Sequence, residues 1–167
     1  MAEPQRVPPV NLVAGPGSRK AVRPGDVFTL RLVDGRHLFG RVVAADLPRE
    51  RAPMPGANLV HLHAAVSDRP EPDLSALRPD ALLVPPLFIN RLPWSKGYFR
   101  TVAHHDLRPA DLLDRYCFRD TTGRHLDREG RPTTHAEPCG TWGLAGYLTV
   151  DREVGRALGL PVAGHAR

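Results

Sequence analysis

His61-Leu62-His63 is the histidine pair in this chain best spaced to share a metal ion. On an extended strand residues i and i+2 point to one side, so both imidazoles would face the same way. A third ligand would have to come from His104, His105 or a carboxylate. A chain with eight histidines produces such pairs by chance, and a polar sheet face accounts for this one, so no metal is expected. Cys117 and Cys139, the only cysteines, lack the Cys-x-x-Cys spacing of zinc or redox sites. Nothing marks the chain for export, so buried free thiols are the expectation, although the sequence leaves their pairing open. Cys117, His104 and Asp106 can be written as a nucleophile set, but nothing enforces its geometry. Asp111 and Asp114 sit one helical turn apart, a spacing that a solvated helix face explains. There is no Gly-x-Gly-x-x-Gly and no phosphate-binding loop. No catalytic residue, cofactor or enzymatic activity is therefore expected.

Trp94, Tyr98 and Phe99 form an aromatic cluster with Arg91, Lys96 and Arg100 nearby. Such a set suits a core, a protein-binding hot spot or a base-stacking strip. Among binding roles a protein partner is favoured, because only 6% of residues are aromatic and no ribonucleoprotein-type motif is present.

The elements that must position these groups are mostly strands. Phe28, Leu30 and Leu32 alternate with Val27, Thr29, Arg31 and Val33, the period of a half-buried strand. Asp34-Gly35 follows as a two-residue turn with both positions at positive φ. The return strand, Arg36 to Ala44, puts Leu38, Gly40 and Val42 on one face, and Gly40 suggests a bulge or close backbone approach. Pro48 to Gly56 is a loop. Asn58 to Val66 is a third strand with Leu59, His61, His63 and Ala65 on one side. Short strands are expected at Leu87 to Asn90, Trp94 to Val102, Tyr116 to Arg119 and Trp142 to Val150. A polar hairpin-like segment spans Arg119 to Pro132. Asp151 is expected to cap a helix that runs to Leu158 and stops at Gly159. The sum is an α+β, mostly β fold: a bent antiparallel sheet, rolled toward a small barrel at the extreme, with a few short covering helices.

With 167 residues, the chain suits one domain over 23–160, with a flexible leader over 1–22 and a tail over 161–167. A short docked stretch at Val10 to Val13 is the one ordered feature expected in the leader. No apolar run is long enough for a membrane span, and the first residues do not read as a signal peptide, which makes the cytoplasm the expected compartment. The net charge of +5 rests almost wholly on arginine, since Lys20 and Lys96 are the sole lysines. These charges are scattered rather than blocked, which disfavours nucleic acid as partner and leaves a small basic β-barrel that binds it as the alternative reading. Oligomeric state is not legible.

Gly25-Asp26-Val27-Phe28, the Asp34-Gly35 turn and Phe39-Gly40-Arg41-Val42 together resemble the opening of the immunity protein 26 family of bacterial polymorphic-toxin systems. Trp94 with Gly97-Tyr98-Phe99, and the Asp127-Arg128-Glu129-Gly130 turn, fit the same family, so that the resemblance covers about Arg23 to Leu160. Gly25, Asp26, Phe28, Asp34, Gly35, Phe39 and Gly40 are then structural motif residues. The resemblance implies a non-enzymatic protein that binds and neutralises a cognate toxin of the same bacterium. Trp94, Tyr98, Phe99, Arg91 and Arg100 are the expected toxin-binding residues, with specificity carried by the Pro48–Gly56 and Thr121–Pro132 loops. A basic chain argues against a basic nuclease as that toxin.

Overall fold

A computed structural model describes residues 8–162. Residues 1–7 of the expected leader and 163–167 of the expected tail lie outside the described residues. The chain runs through β1 (Leu12–Val13), β2 (Asp26–Leu32), β3 (His37–Ala44), β4 (Asn58–Ser67), β5 (Leu87–Ile89), α1 (Leu92–Ser95), β6 (Arg100–His104), β7 (Cys117–Arg119), β8 (His125–Leu126), β9 (Cys139–Thr141), β10 (Leu144–Ala145) and α2 (Tyr147–Leu158). Seven strands form one sheet in the order β1-β2-β3-β4-β5-β10, with β6 pairing β2 beside β1. All its pairs are antiparallel except β5 with β10. A second sheet has the order β8-β7-β9. The fold is thus mostly β with two helices, and its larger sheet is open rather than closed into a barrel.

The β2–β3 hairpin follows from alternation, but its turn is one residue longer than expected. The Leu32 amide donates to the Arg36 carbonyl and the Gly35 amide to the Leu32 carbonyl, so that Val33, Asp34 and Gly35 make a three-residue loop. Only Gly35 has positive φ, at 88°; Asp34 instead accepts from the Arg36 amide. This is the type I turn closed by a glycine bulge, which matches strand twist with one left-handed residue instead of two. Gly40 is a close-approach site: a Cβ there would lie 2.2 Å from the Phe28 ring and 2.7 Å from the His61 carbonyl oxygen.

Both faces of the large sheet are covered. Phe28, Leu30, Leu32, Leu38, Val42, Val60 and Leu62 pack against Trp94, Phe99 and the Val150 and Val154 side chains of α2. On the opposite face Val43, Leu59 and Phe88 meet Tyr116 and Phe118 of the smaller sheet, while Val27 and Phe39 meet Leu77. The strands alternate as the sequence implies, yet both faces of their central residues are covered, and this decides what happens to His61 and His63 below.

Two expected strands are in part helix. Pro93 occupies a first-turn position of α1, where its missing N–H costs nothing, so Trp94 lies in a helical turn and the strand begins only at Arg100. Leu144, Gly146, Leu148 and Val150 alternate, but only Leu144–Ala145 is strand. From Tyr147 the burial of Tyr147, Val150, Asp151 and Val154 follows the helical period. The expected stop at Gly159 is present, with φ 68°.

Asp151 is inside α2 rather than at its cap, because other donors claim its carboxylate. The Val10, Asn11 and Leu12 amides donate to it at 3.0, 2.8 and 3.0 Å. These bonds dock the expected Val10–Val13 stretch, of which Leu12–Val13 is β1, joining helix and sheet edge through one buried side chain. Asp151→Ala leaves those amides without their acceptor and is expected to lower stability by about 3 kcal/mol, measured by urea unfolding. A loss below about 1 kcal/mol would mean that the amides find other partners.

Candidate functional site

Trp94 and Phe99 are buried with Phe28: Phe99 stacks on Phe28 with ring centroids 4.6 Å apart, and Trp94 meets both rings edge-on. Tyr98 is half-buried and stacks on Tyr147 at 4.8 Å. Arg91 and Arg100 are exposed, and Arg91 donates to the Arg19 and Lys20 carbonyls. Of the five expected toxin-binding residues, Trp94 and Phe99 therefore serve the core of this chain, while the two arginines face outward and Tyr98 is half-buried.

His61 and His63 do point the same way, but into the protein rather than to a polar face. Nε2 of His61 lies 3.0 Å from the Tyr116 hydroxyl, and Nδ1 of His63 lies 3.2 Å from the Arg78 carbonyl. Neither His104 nor His105 joins them. His104 bridges Asp26 at 2.7 Å and Asp106 at 3.2 Å, and His105 contributes its carbonyl to Arg41. Burial, reinforced by the neighbouring His63 and by Arg128 and Arg41, pushes His61 down to about 3. Burial likewise brings His63 down to about 4, against the opposing Arg78 carbonyl. Burial also raises the Tyr116 hydroxyl above its ordinary value. These rings are neutral packing groups.

Beside them lies a buried ion pair. Arg41 reaches Asp111 at 3.2 Å and donates to the His105 carbonyl at 2.7 Å. Burial penalises the Asp111 carboxylate, but the Arg108 amide and the Arg41 guanidinium outweigh it and hold its pKa below the ordinary value. A cleft of about 670 Å³ opens between residues 74–80 and 108–114. None of Cys117, His104 and Asp106, the written nucleophile set, lines it, and neither does His63. Cys117 instead faces Cys139, and burial together with the Cys117 thiol raises the Cys139 thiol to about 12.

The two loops singled out for specificity are neighbours. Nε of Arg51 lies 2.7 Å from Glu129, and a Cβ on Gly130 would meet the Glu50 carbonyl at 2.7 Å. Arg49, Glu50, Arg51 and Met54 are exposed on one loop, and Thr121, Thr122, Arg124 and Arg131 on the other. Arg128 lies over the Tyr116 ring, 5.3 Å from its centroid, and Tyr116 stacks on His61. The exposed surface is thus backed by a column of rings that fixes its base to the sheet. Below the second loop, Cys117, His125, His135 and Cys139 form the one group of metal-ligating side chains among the described residues. The sequence reading missed that group because it weighed His61-His63 and separated the two thiols.

No helix among the described residues is long and apolar enough to cross a membrane. Neither the curated proteins nor the solved structures gave a match to this chain. The profile of the family described as immunity protein 26 matches residues 23–125, which contain the hairpin, the third strand and the Trp94–Phe99 segment. The match begins where the sequence resemblance does and ends before its expected limit at Leu160, leaving the Asp127–Gly130 turn outside. Since it takes in well over half of the 167 residues, the chain belongs to the immunity protein 26 family.

Proposed function

We propose that this protein binds a toxin produced by the same bacterium and blocks it in the cytoplasm, without catalysing a reaction. Membership of the immunity family carries the reading. Blocking a toxin needs a rigid surface, a few desolvated anchors and complementary charge, and no reacting group. The joined loops around Arg51 and Glu129 supply such a surface, with Met54 as its exposed apolar residue. The exposed Arg91 and Arg100, with the half-buried Tyr98, are a second set suited to the same partner, with Trp94 and Phe99 as its rigid backing.

Co-expression tests the reading. A toxin encoded beside this gene should arrest growth alone and lose that effect when this chain is made with it, and the two proteins should co-purify. A double charge reversal, Arg49→Glu with Arg124→Glu, at residues that carry no core packing, should weaken the complex at least ~10-fold if this is the contact surface. Absence of both rescue and complex would overturn the proposal. Tight, steeply salt-dependent binding of mixed nucleic acids would do so in favour of the nucleic-acid alternative.

A further inference from the structure

We propose that Cys117, His125, His135 and Cys139 hold a divalent zinc ion that staples the smaller sheet. One ligand atom from each of the four lies within 4.8 Å of all the others. Zinc bonds of about 2.0–2.3 Å in a tetrahedron place ligand atoms about 3.3–3.8 Å apart, so only a small contraction is needed. Two thiols and two imidazoles are the donor set that favours zinc over magnesium or calcium.

The strand register produces the convergence, independently of any one rotamer. Cys117 pairs directly with Cys139 in the parallel β7–β9 ladder, which puts both thiols on one face. His125 of β8 pairs with Arg119 of β7. Arg119 is two residues from Cys117 and shares its face, so His125 joins the thiols there. The Thr133 amide donates to the His125 carbonyl and brings the following segment, with His135, back over the same face. The spacing is Cys-x7-His-x9-His-x3-Cys, with the last two ligands close in sequence, as one half of a zinc site commonly is.

Second, an outer partner already orients one ligand. Nε2 of His135 lies 2.8 Å from the Glu137 carboxylate, while its Nδ1 faces Nε2 of His125 at 3.3 Å. The carboxylate keeps the proton on Nε2 and turns the Nδ1 lone pair inward, the carboxylate–histidine arrangement that metal ligands use. Third, the smaller sheet needs such a tie. Its strands have three, two and three residues, so few ladder bonds hold it beyond the packing of Phe118 on the larger sheet. His135 and Cys139 lie beyond the family match. The ion would fix the base of the Thr121–Pro132 loop, and its presence does not depend on the toxin reading.

The test uses the full chain, purified under reducing conditions. Metal analysis should find about one zinc per chain. Cobalt(II) added to the metal-free protein should give, at one equivalent, the visible bands of tetrahedral cobalt with a thiolate-to-cobalt band in the near ultraviolet. His135 is exposed, so His135→Ala should leave the fold intact while weakening the metal at least ~100-fold. Cys139→Ser should cut the thiolate band to about half per bound cobalt, Cys117 remaining as the one thiolate, and Glu137→Gln should weaken binding ~10-fold. His105→Ala, an exposed histidine outside the cluster, should bind as the parent does. A reduced protein with no stoichiometric cobalt spectrum, or equal loss in His105→Ala, would each overturn the proposal.

Discussion

Acidification from pH 7 to pH 4.5 is expected to remove about 5 kcal/mol of folding stability through His61 and His63. The folded protein holds both rings neutral, at about 3 and about 4, against an ordinary 6.5. Between those values the unfolded chain binds more protons than the folded one. Stability from this source is therefore fully present above about pH 6.5 and falls as the pH drops toward 4. Two rings, each two pH units below the unfolded value at pH 4.5, give that total at about 1.4 kcal/mol per unit. The groups facing them, Tyr116, Arg41, Arg128 and Asp111, cannot reverse the sign, since burial is the largest cause for both. Such a loss is comparable to the whole stability of many domains, so cooperative unfolding should set in between about pH 5 and 4. Proton titration of the imidazole resonances reads the cause directly: neither ring should charge above pH 5 while the protein is folded. A midpoint near 6.5 for either would remove the explanation, even if the protein still unfolded in acid.

That prediction was not available from the sequence, and the reason is physical. Alternation in β2, β3 and β4 gives the correct faces: Phe28, Leu30 and Leu32 share one, and His61 and His63 share the other. What alternation does not encode is whether a second layer covers a face. Tyr116 and Phe118 do so from far along the chain. The same nonlocality hides Cys117 opposite Cys139, because parallel pairing leaves no turn signal between its strands. Local ambiguity explains the rest. Leu144 to Val150 fits a period of two as well as the start of a helix, and so short a run does not distinguish them. Asp151 reads as a cap until its partners, on β1 and the residues before it, are seen. The His135-x3-Cys139 spacing was the one local signal of the metal cluster, and it carries weight only once Cys117 and His125 stand beside it.

Replacing Arg41 with methionine is expected to destabilise the protein by about 3–5 kcal/mol, more than losing a surface ion pair could. Arg41 and Asp111 have side chains only 7% and 10% exposed, so water from the cleft that Asp111 lines replaces the guanidinium only in part. Arg41→Met keeps most of the aliphatic stem and so isolates the charge. It leaves the Asp111 carboxylate with the Arg108 amide and, at 3.7 Å, the exposed Arg108 guanidinium as its remaining partners, and deprives the His105 carbonyl of its donor. Restoring neutrality should recover much of the loss: in Arg41→Met with Asp111→Leu no buried charge is left unpaired, and the double variant should be more stable than Arg41→Met alone. Urea unfolding of the four proteins at pH 7 gives the coupling energy. A near-additive cycle would show that the pair contributes through packing alone. A favourable coupling above about 1.5 kcal/mol would establish that this ion pair locks the turn at residues 109–111 onto β3, and with it one wall of the cleft beneath residues 74–80.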